Sequence, residues 1–169
     1  TINGTNDAPI HTMPSSQSIN EDGTLTLSTA NSNAISLGIT DDETITTTLS
    51  VSGVAGTLHV NTIEGTTISN NNSSSVQIIG SRAQINAALD GLVYTPTANA
   101  NGTASLQIVS SDGNSSDTDT VTINVTAVDD LPTATSMAAT VGPTSKQLFS
   151  YFVPTFSDVD AQSPVAIQI

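Results

Sequence analysis

Apolar and polar residues alternate along most of this chain in short runs, and turn-forming residues separate the runs. The run TITTTLSVS places Ile45, Leu49 and Val51 on one face, with a threonine interrupting the row. Alternation of this kind, bounded by Gly, Asn, Asp and Pro, is typical of β-strands. The pattern predicts strands at Gln17 to Ile19, Thr24 to Leu27, Ala34 to Leu37, Thr44 to Ser52, Gly56 to Val60, Thr66 to Ser69, Ser75 to Ile79, Leu92 to Thr95, Ala104 to Val109 and Thr118 to Val128.

One segment departs from this alternation and has helical spacing. In SRAQINAALDGL, apolar residues recur three to four residues apart, at Ile85, Ala88, Leu89 and Leu92. Ser81 is a good N-cap residue at the start of the segment, and Gly91 is placed to end the helix. The spacing therefore predicts one short helix in a chain that is otherwise all-β.

Two acidic landmarks occur twice, in the same order. They are NDAP at 6–9 and ITDDET at 39–44, and then DDLP at 129–132 and FSDVDA at 156–161. A period of about 120 residues suits one β-sandwich module with its linker. We therefore predict an interdomain linker at 1–10, a β-sandwich at 11–131, and a linker with the N-terminal part of a second similar module at 132–169. Because the sequence begins and ends in strand-like text, we interpret it as a segment of a longer chain.

The charge balance excludes several classes of partner. The sequence has 169 residues, with 15 Asp or Glu, 2 Lys or Arg and a formal net charge of −13 at pH 7. Binding to a phosphate backbone needs clustered cations, so we expect no nucleic-acid partner. No apolar run approaches the roughly 20 residues of a membrane helix, so we expect no membrane insertion. High net charge with few aromatics also suggests disorder, but the many alternating Ile, Val and Leu residues argue against it.

The carboxylates are concentrated near the predicted module ends, and this placement suggests a bound cation. Like charges within about 4–6 Å of one another destabilise a site unless a cation neutralises them. Ca²⁺ takes six to eight oxygen ligands from carboxylates, amides and carbonyls. The alternative interpretation is that these Asp and Asn residues are ordinary solvated turn residues. Glu21, in INEDG, fits either a metal ligand or an exposed turn. Absence of cysteine makes bound cations the obvious source of rigidity, so we predict Ca²⁺.

A catalytic role has little support in the sequence. There is no G-x-S-x-G elbow, no H-E-x-x-H motif and no P-loop. His11 and His59 are interpreted as ordinary surface or edge histidines. Paired carboxylates hydrolyse glycosides in some proteins, but the aromatic residues that stack on sugars are scarce here. We therefore expect that this chain is not an enzyme.

Three stretches resemble one family. The stretch TINGTNDAP closely resembles the junctions of cadherin-like tandem repeats in very large bacterial surface proteins, including VCBS-type and RTX adhesins. The stretch QIIGSRAQINAALDGLVYTPTANANGTASLQIVSSDG resembles the body of those repeats. FSYFVPTFSDVDA is similar to the opening of a dystroglycan-type cadherin-like repeat.

The resemblance implies cadherin/Ig-like Greek-key β-sandwich modules strung end to end, with Ca²⁺ at the junctions. It also implies export to the bacterial cell surface, usually by a type I secretion system. The metal ligands that it implies are Asn6, Asp7, Glu21, Asp41, Glu43, Asp112, Asp129, Asp130, Asp158 and Asp160. The L-D-R-E segment of classical cadherins has no convincing counterpart, and Asp90 in ALDGL is a poor substitute for it.

Two functions remain open at this point. The first is a calcium-stabilised extender of a large secreted adhesin, which supports cell adhesion or biofilm attachment. Its partners would be the neighbouring modules of the same chain, with a host-cell or surface ligand bound elsewhere in the parent protein. The alternative is a module that itself recognises a glycan or a peptide through its Ser/Thr/Asn-rich loops. An extender needs filled junction sites, whereas a binder needs a concave site.

Overall fold

The computed structural model describes residues 6–38 and 44–131, together with the backbone of 133–134 and 156–157. The described chain consists of short strands and one helix, α1 (Arg82–Leu89). The strands are β1 (His11–Thr12), β2 (Gln17–Asn20), β3 (Leu25–Leu27), β4 (Ser36–Leu37), β5 (Ile45–Gly53), β6 (Gly56–His59), β7 (Thr67–Ser69), β8 (Ser75–Gly80), β9 (Leu92–Pro96), β10 (Gly102–Ser111), β11 (Ser116–Thr126), β12 (Thr133–Ala134) and β13 (Phe156–Ser157). The prediction of an all-β fold with one short helix is confirmed.

The chain divides into two compact units, Thr1–Ala127 and Val128–Ile169. In the second unit, β12 and β13 form an antiparallel pair in which Ala134 lies opposite Phe156. The first unit contains a six-stranded sheet with the order β2-β11-β10-β5-β8-β7 and a three-stranded sheet with the order β3-β9-β6. A separate pair, β1 and β4, accompanies them. Successive strands pass back and forth between the two larger sheets.

The two sheets of the first unit enclose one apolar core, so the unit is a β-sandwich. Leu106 and Ile108 of β10 are fully buried, and they share the core cluster with Leu27 of β3 and Tyr94 of β9. Residues on β10 alternate between buried and more exposed positions, as a strand with one covered face requires. The alternating pattern in the sequence thus corresponds to the inward and outward faces of the sheets.

The helix begins and ends as its sequence predicts. The Ser81 side chain accepts a hydrogen bond from the Gln84 amide N, and the Gln84 side chain accepts one from the Ser81 amide N, which is a capping box. Ile85, Ala88 and Leu89 are buried against the sandwich. The helix connects β8 to β9.

The strand bounds differ from the predicted ones by one or two residues at most ends, and the two-residue strands β1, β12 and β13 are not among the predicted strands. Strand β1 has two residues, and its register pairs His11 with Leu37 of β4. A strand this short has no alternation to detect, because two residues cannot show a period of two. Its position is decided by contacts with distant parts of the chain.

The strand register defines two opposite ends of the sandwich. At one end, Ser111 pairs with both Ser116 and Thr46, so the β10–β11 turn lies beside the start of β5. We call this the hairpin end. At the other end, Gly102 pairs with Val125, and Asn20 of β2 pairs in parallel with Thr126. We call this the exit end, because β11 leaves the sandwich there.

Candidate functional site

The linker that enters the sandwich is bonded to the turn at the hairpin end. The Asn6 side-chain amide donates to Asp112 Oδ2 at 2.9 Å, and it lies 3.4 Å from Ser115 Oγ. The Asn114 amide donates in turn to Asn6 Oδ1 at 3.2 Å. Asn6 and Asp112, which are 106 positions apart in the sequence, therefore lie at the same end of the sandwich.

Asp112 is organised as the acceptor at the centre of this turn. Its Oδ1 accepts the backbone N–H of Asn114 at 2.7 Å and that of Ser115 at 2.6 Å. These bonds hold the pKa of Asp112 below its usual value of 3.8, with the Ser115 amide as the largest cause and the Asn6 amide as the next. The carboxylate therefore stays negatively charged at neutral pH, as a metal ligand must.

Of the predicted ligands Asp7, Asp41 and Glu43, the structure describes only Asp7. Asp7 follows Asn6 and is exposed. Asp41 and Glu43 lie outside the described residues, so their predicted role stays a prediction. Strand β5 begins at Ile45, at the hairpin end.

The exit end contains a buried carboxylate. Glu21 is only 3% exposed, and its Oε2 accepts a hydrogen bond from the Asn101 amide at 3.1 Å. The Glu21 backbone N–H donates to the carbonyl of Thr126, the last residue of β11, at 2.9 Å. The interpretation of Glu21 as an exposed turn residue is therefore wrong, because the turn folds its side chain inward toward the β9–β10 loop.

The acids of the second linker follow β11 in the sequence. Asp129 is exposed and Asp130 is partly exposed. Asp158 and Asp160 lie outside the described residues. Their proposed equivalence to Asp41 and Glu43 remains a prediction.

The carboxylate of Asp90 takes its hydrogen bonds from a turn, not from residues at the hairpin end or the exit end. Its two carboxylate oxygens accept the backbone N–H of Thr29 at 2.8 Å and the Thr29 hydroxyl at 2.9 Å. These two bonds, the backbone one first, hold the pKa of Asp90 below 3.8. Asp90 thus fastens the end of α1 to the turn after β3.

A polar layer lies inside the sandwich next to the hairpin end. The inward row of β10 runs from Ala104 through Leu106 and Ile108 to Ser110, and the last of these is a fully buried polar residue. Thr47 on β5 is also fully buried and lies opposite Ser110 in the register, with 2.8 Å between the two hydroxyl oxygens. The core is therefore apolar at its centre and polar at this end.

His11 covers that polar layer. Its side chain is fully buried, with Nε2 2.8 Å from Ser110 Oγ and Nδ1 3.2 Å from Asp117 Oδ2 and 3.1 Å from Asp119 Oδ2. The His11 backbone N–H also donates to Asp117 Oδ2 at 2.9 Å. His11 was interpreted as an ordinary surface or edge histidine; it does lie on a strand of a two-stranded sheet, but its side chain is buried, so the surface alternative is wrong.

The sequence contains a pattern that indicates this cluster, namely polar residues at inward-facing strand positions. Asp117 and Asp119 lie an even number of positions before Val121, Ile123 and Val125. Alternate residues of a strand face the same side, so the two aspartates continue the inward-facing side of β11. The threonine that interrupts the apolar row of β5 is Thr47. Polar residues at inward positions of neighbouring strands indicate a buried polar layer, but the pattern does not show that His11 covers it.

Three groups of donor atoms in the described chain bear on metal binding. The hairpin end offers Asn6 and Asp112, and the exit end offers Glu21 and Asn101. The third group combines a histidine nitrogen with two carboxylates, at His11, Asp117 and Asp119, whose ligand atoms all lie within 4.8 Å of one another. The first two sets are oxygen donors, which Ca²⁺ prefers, and the third is a mixed set.

No protein-family model matches the sequence, and a search of curated proteins finds no match. The described part of the chain has one helix, α1. No helix there is long and apolar enough to cross a membrane.

Proposed function

We propose that this chain is a calcium-stabilised extender module of a large secreted bacterial adhesin, acting outside the cell at the bacterial surface. Acidic and amide side chains at opposite ends of one sandwich, beside the chain segments that enter and leave it, carry this proposal. An extender transmits position and force from module to module, so its junctions are the places that need stiffness.

The contact between Asn6 and Asp112 supports the proposal at the hairpin end. It brings the entering linker to the β10–β11 turn through side chains that carry oxygen donors. A carboxylate and a side-chain amide are the donor types that Ca²⁺ takes in proteins. The donor chemistry therefore fits, and a bound ion would link the entering linker to the sandwich at Asp112.

Glu21 supports the proposal at the exit end. Glu21 is 3% exposed, and a sandwich keeps a buried carboxylate only where polar or charged groups stabilise it. Asn101 supplies one hydrogen bond to it, and the Glu21 backbone is fixed to the end of β11. Asp129 and Asp130 follow β11 in the sequence, and we propose them as calcium ligands of the second linker.

The scarcity of cationic side chains also supports a bound metal ion. Arg82 and Lys146 are the only two Lys or Arg residues in the sequence. Arg82 begins α1 and is exposed. Few cationic side chains of this sequence are therefore available to the carboxylates of the module ends, which favours a metal ion as their counter-charge.

The first prediction concerns calcium removal. Chelation should lower the melting temperature, because an ion that binds only the folded state contributes about 2.7 kcal/mol per site at a hundredfold excess over Kd. Thermal unfolding followed by circular dichroism, with Ca²⁺ and with a chelator, measures this difference. Identical melting curves in the two conditions would reject the calcium proposal.

Matched variants assign the effect to one end or the other. Asp112→Asn retains an oxygen that can accept the two backbone N–H groups of its turn, but it removes the charge. Glu21→Gln does the same at the exit end. Each should reduce the calcium-dependent increase in melting temperature, whereas Glu64→Gln, which removes one charge from an exposed loop, should leave that increase unchanged.

The alternative function, recognition of a glycan or peptide, has one observation in its favour. A shallow surface depression of about 340 Å³ is lined by residues 55–57, Ser74 and residues 95–97, with hydroxyl groups from Thr57, Ser74, Thr95 and Thr97. Its described lining contains no aromatic and no charged side chain. A glycan array probed with and without Ca²⁺ tests this function, and strong binding that Thr57→Ala abolishes would favour it over a pure extender.

A further inference from the structure

We propose that His11, Asp117 and Asp119 form a second metal site, which takes a divalent transition-metal ion such as Zn²⁺. This site is separate from the calcium positions at the module ends. It does not depend on the extender function.

Two elements that are distant in the sequence supply the three ligands. Asp117 and Asp119 lie two residues apart on β11, so their side chains point to the same face of the sheet. His11 comes from β1, and its imidazole is fully buried against that face. The carboxylates are 30% and 42% exposed, which leaves a route from solvent and room for water ligands.

The distances between the three ligand atoms suit the coordination geometry of a metal ion. Metal bonds of about 2.0–2.2 Å to nitrogen and oxygen place neighbouring ligand atoms roughly 2.9–3.5 Å apart in octahedral or tetrahedral geometry. His11 Nδ1 lies 3.2 Å from Asp117 Oδ2 and 3.1 Å from Asp119 Oδ2, which is within that range. All three ligand atoms lie within 4.8 Å of one another, so a small rotation of one carboxylate brings them around an ion.

The other nitrogen of the imidazole already has a partner that would orient it. Histidine ligands usually donate their second N–H to a fixed acceptor, which sets the tautomer and the ring orientation. His11 Nε2 lies 2.8 Å from Ser110 Oγ, and that oxygen lies 2.8 Å from Thr47 Oγ1. With a metal at Nδ1, Nε2–H donates to Ser110, and the Ser110 hydroxyl then donates to Thr47.

The ligand types select the ion. Ca²⁺ and Mg²⁺ are hard cations that take oxygen ligands, so an imidazole nitrogen at the centre of the set disfavours them. One imidazole and two carboxylates suit Zn²⁺ and the neighbouring first-row divalent ions, and among these the affinity order places Zn²⁺ above Mn²⁺ and Fe²⁺. Zn²⁺ is therefore the probe of choice.

An ion at this place would join the beginning of the sandwich to its last strand. His11 and Asp117 are 106 positions apart in the sequence. A cross-link over so long a loop restricts the unfolded chain strongly, because the entropy of loop closure grows with loop length. The metal would therefore stabilise the folded sandwich as well as β1.

The test is a titration of the full 169-residue chain with Zn²⁺ in the presence of excess Ca²⁺. Isothermal titration calorimetry should show one Zn²⁺ per chain, lost in His11→Gln and retained in His59→Gln. His59 is the matched control, because it is the only other histidine in the sequence, and it is exposed on β6. Long-range ¹H–¹⁵N spectra should show that Zn²⁺ shifts the Nδ1 resonance of His11 while Nε2 keeps its proton.

Further variants cover the case in which His11→Gln does not fold. Ser110→Ala leaves all three ligands in place and should weaken Zn²⁺ binding about 10–100-fold, as loss of an outer partner does. Asp119→Asn removes a ligand and should weaken it more. Equal Zn²⁺ affinity in the wild type and Asp119→Asn would overturn the proposal, and so would an unchanged His11 Nδ1 resonance in saturating Zn²⁺. The second result would identify the cluster as a histidine–carboxylate pair alone.

Discussion

Asp90 and Asp112 hold their charge through hydrogen bonds to backbone amides. Asp90 accepts the N–H and the hydroxyl of Thr29, and Asp112 accepts the amides of Asn114 and Ser115. In both cases the charged form is favoured, and the pKa lies below its usual value. Stabilisation of a carboxylate by hydrogen bonds thus replaces, in these turns, the stabilisation that Lys or Arg would supply elsewhere.

The residue-scale prediction follows from the lowered pKa of Asp90. Because this pKa is lower in the folded chain than in the unfolded one, its contribution to stability is present above the unfolded value and is lost as the pH falls through the folded value. Asp90→Asn should therefore lower the melting temperature at pH 6, and the difference from wild type should shrink toward pH 3. Thermal melts across this range measure it.

Glu64→Gln is the control for Asp90→Asn, because it removes one negative charge from an exposed loop residue. Thr29→Val is the complementary variant, since it removes the hydroxyl but keeps the backbone N–H. It should reproduce part of the loss at pH 6. A difference between Asp90→Asn and wild type that stays constant from pH 6 to pH 3 would contradict the role assigned to this carboxylate.

At the scale of elements, the close approach of β6 and β9 depends on one glycine. A Cβ added to Gly56 would meet the carbonyl oxygen of Thr95, and it would lie 2.6 Å from the Tyr94 ring and 2.9 Å from Pro96 Cα. Tyr94 cannot yield easily, because it is fully buried and its hydroxyl donates to the Val54 carbonyl at 2.8 Å. Burial also raises its pKa above 10.0, so the hydroxyl keeps its proton at neutral pH.

Gly56→Ala should therefore be strongly destabilising. Overpacking in a core that cannot relax costs about 1–3 kcal/mol. Urea denaturation at neutral pH measures the free energy of unfolding. Gly38→Ala is the matched control, because its added Cβ would lie 3.3 Å from the Ile10 carbonyl, where a small shift suffices. Equal stability of the two variants would mean that β6 moves away from β9 more easily than the packing indicates.

At the scale of the whole molecule, the first compact unit contains both large sheets, the helix and the described apolar core. We predict that a chain ending at Leu131 folds on its own, because the strands that enclose this core all precede Val128. Its circular dichroism spectrum should remain that of a β-protein, with a cooperative thermal transition. Loss of the cooperative transition would show that residues 132–169 are required for folding.

The charge of the whole molecule depends on what it binds. The formal net charge of −13 counts side chains alone. Each Ca²⁺ at a module end, and a Zn²⁺ at His11, would add two positive charges. The repulsion among negative charges in the compact chain would therefore decrease.

Much of the fold was predictable from local patterns. The alternating runs correspond to strands, and Ser81 with Ile85, Ala88 and Leu89 marked the helix, because caps and periodicity depend on residues close in the sequence. Asn6 and Asp112 both belong to the ligands that the resemblance implies, but their meeting across 106 positions depends on the tertiary structure. The remaining predicted ligands are exposed, lie outside the described residues or, as with Glu21, proved more buried than one interpretation allowed.

What the sequence by itself determined is the class of fold: a chain of short alternating strands has one apolar face per strand and must bury it in a sandwich. Only the tertiary structure decided which inward-facing rows of side chains lie against one another. Ser110, Thr47 and Asp117 are ordinary polar residues along the chain, and strand register alone places them side by side. His11 joins them because long-range pairing of β1 brings it there, and no local preference encodes a contact across 108 positions.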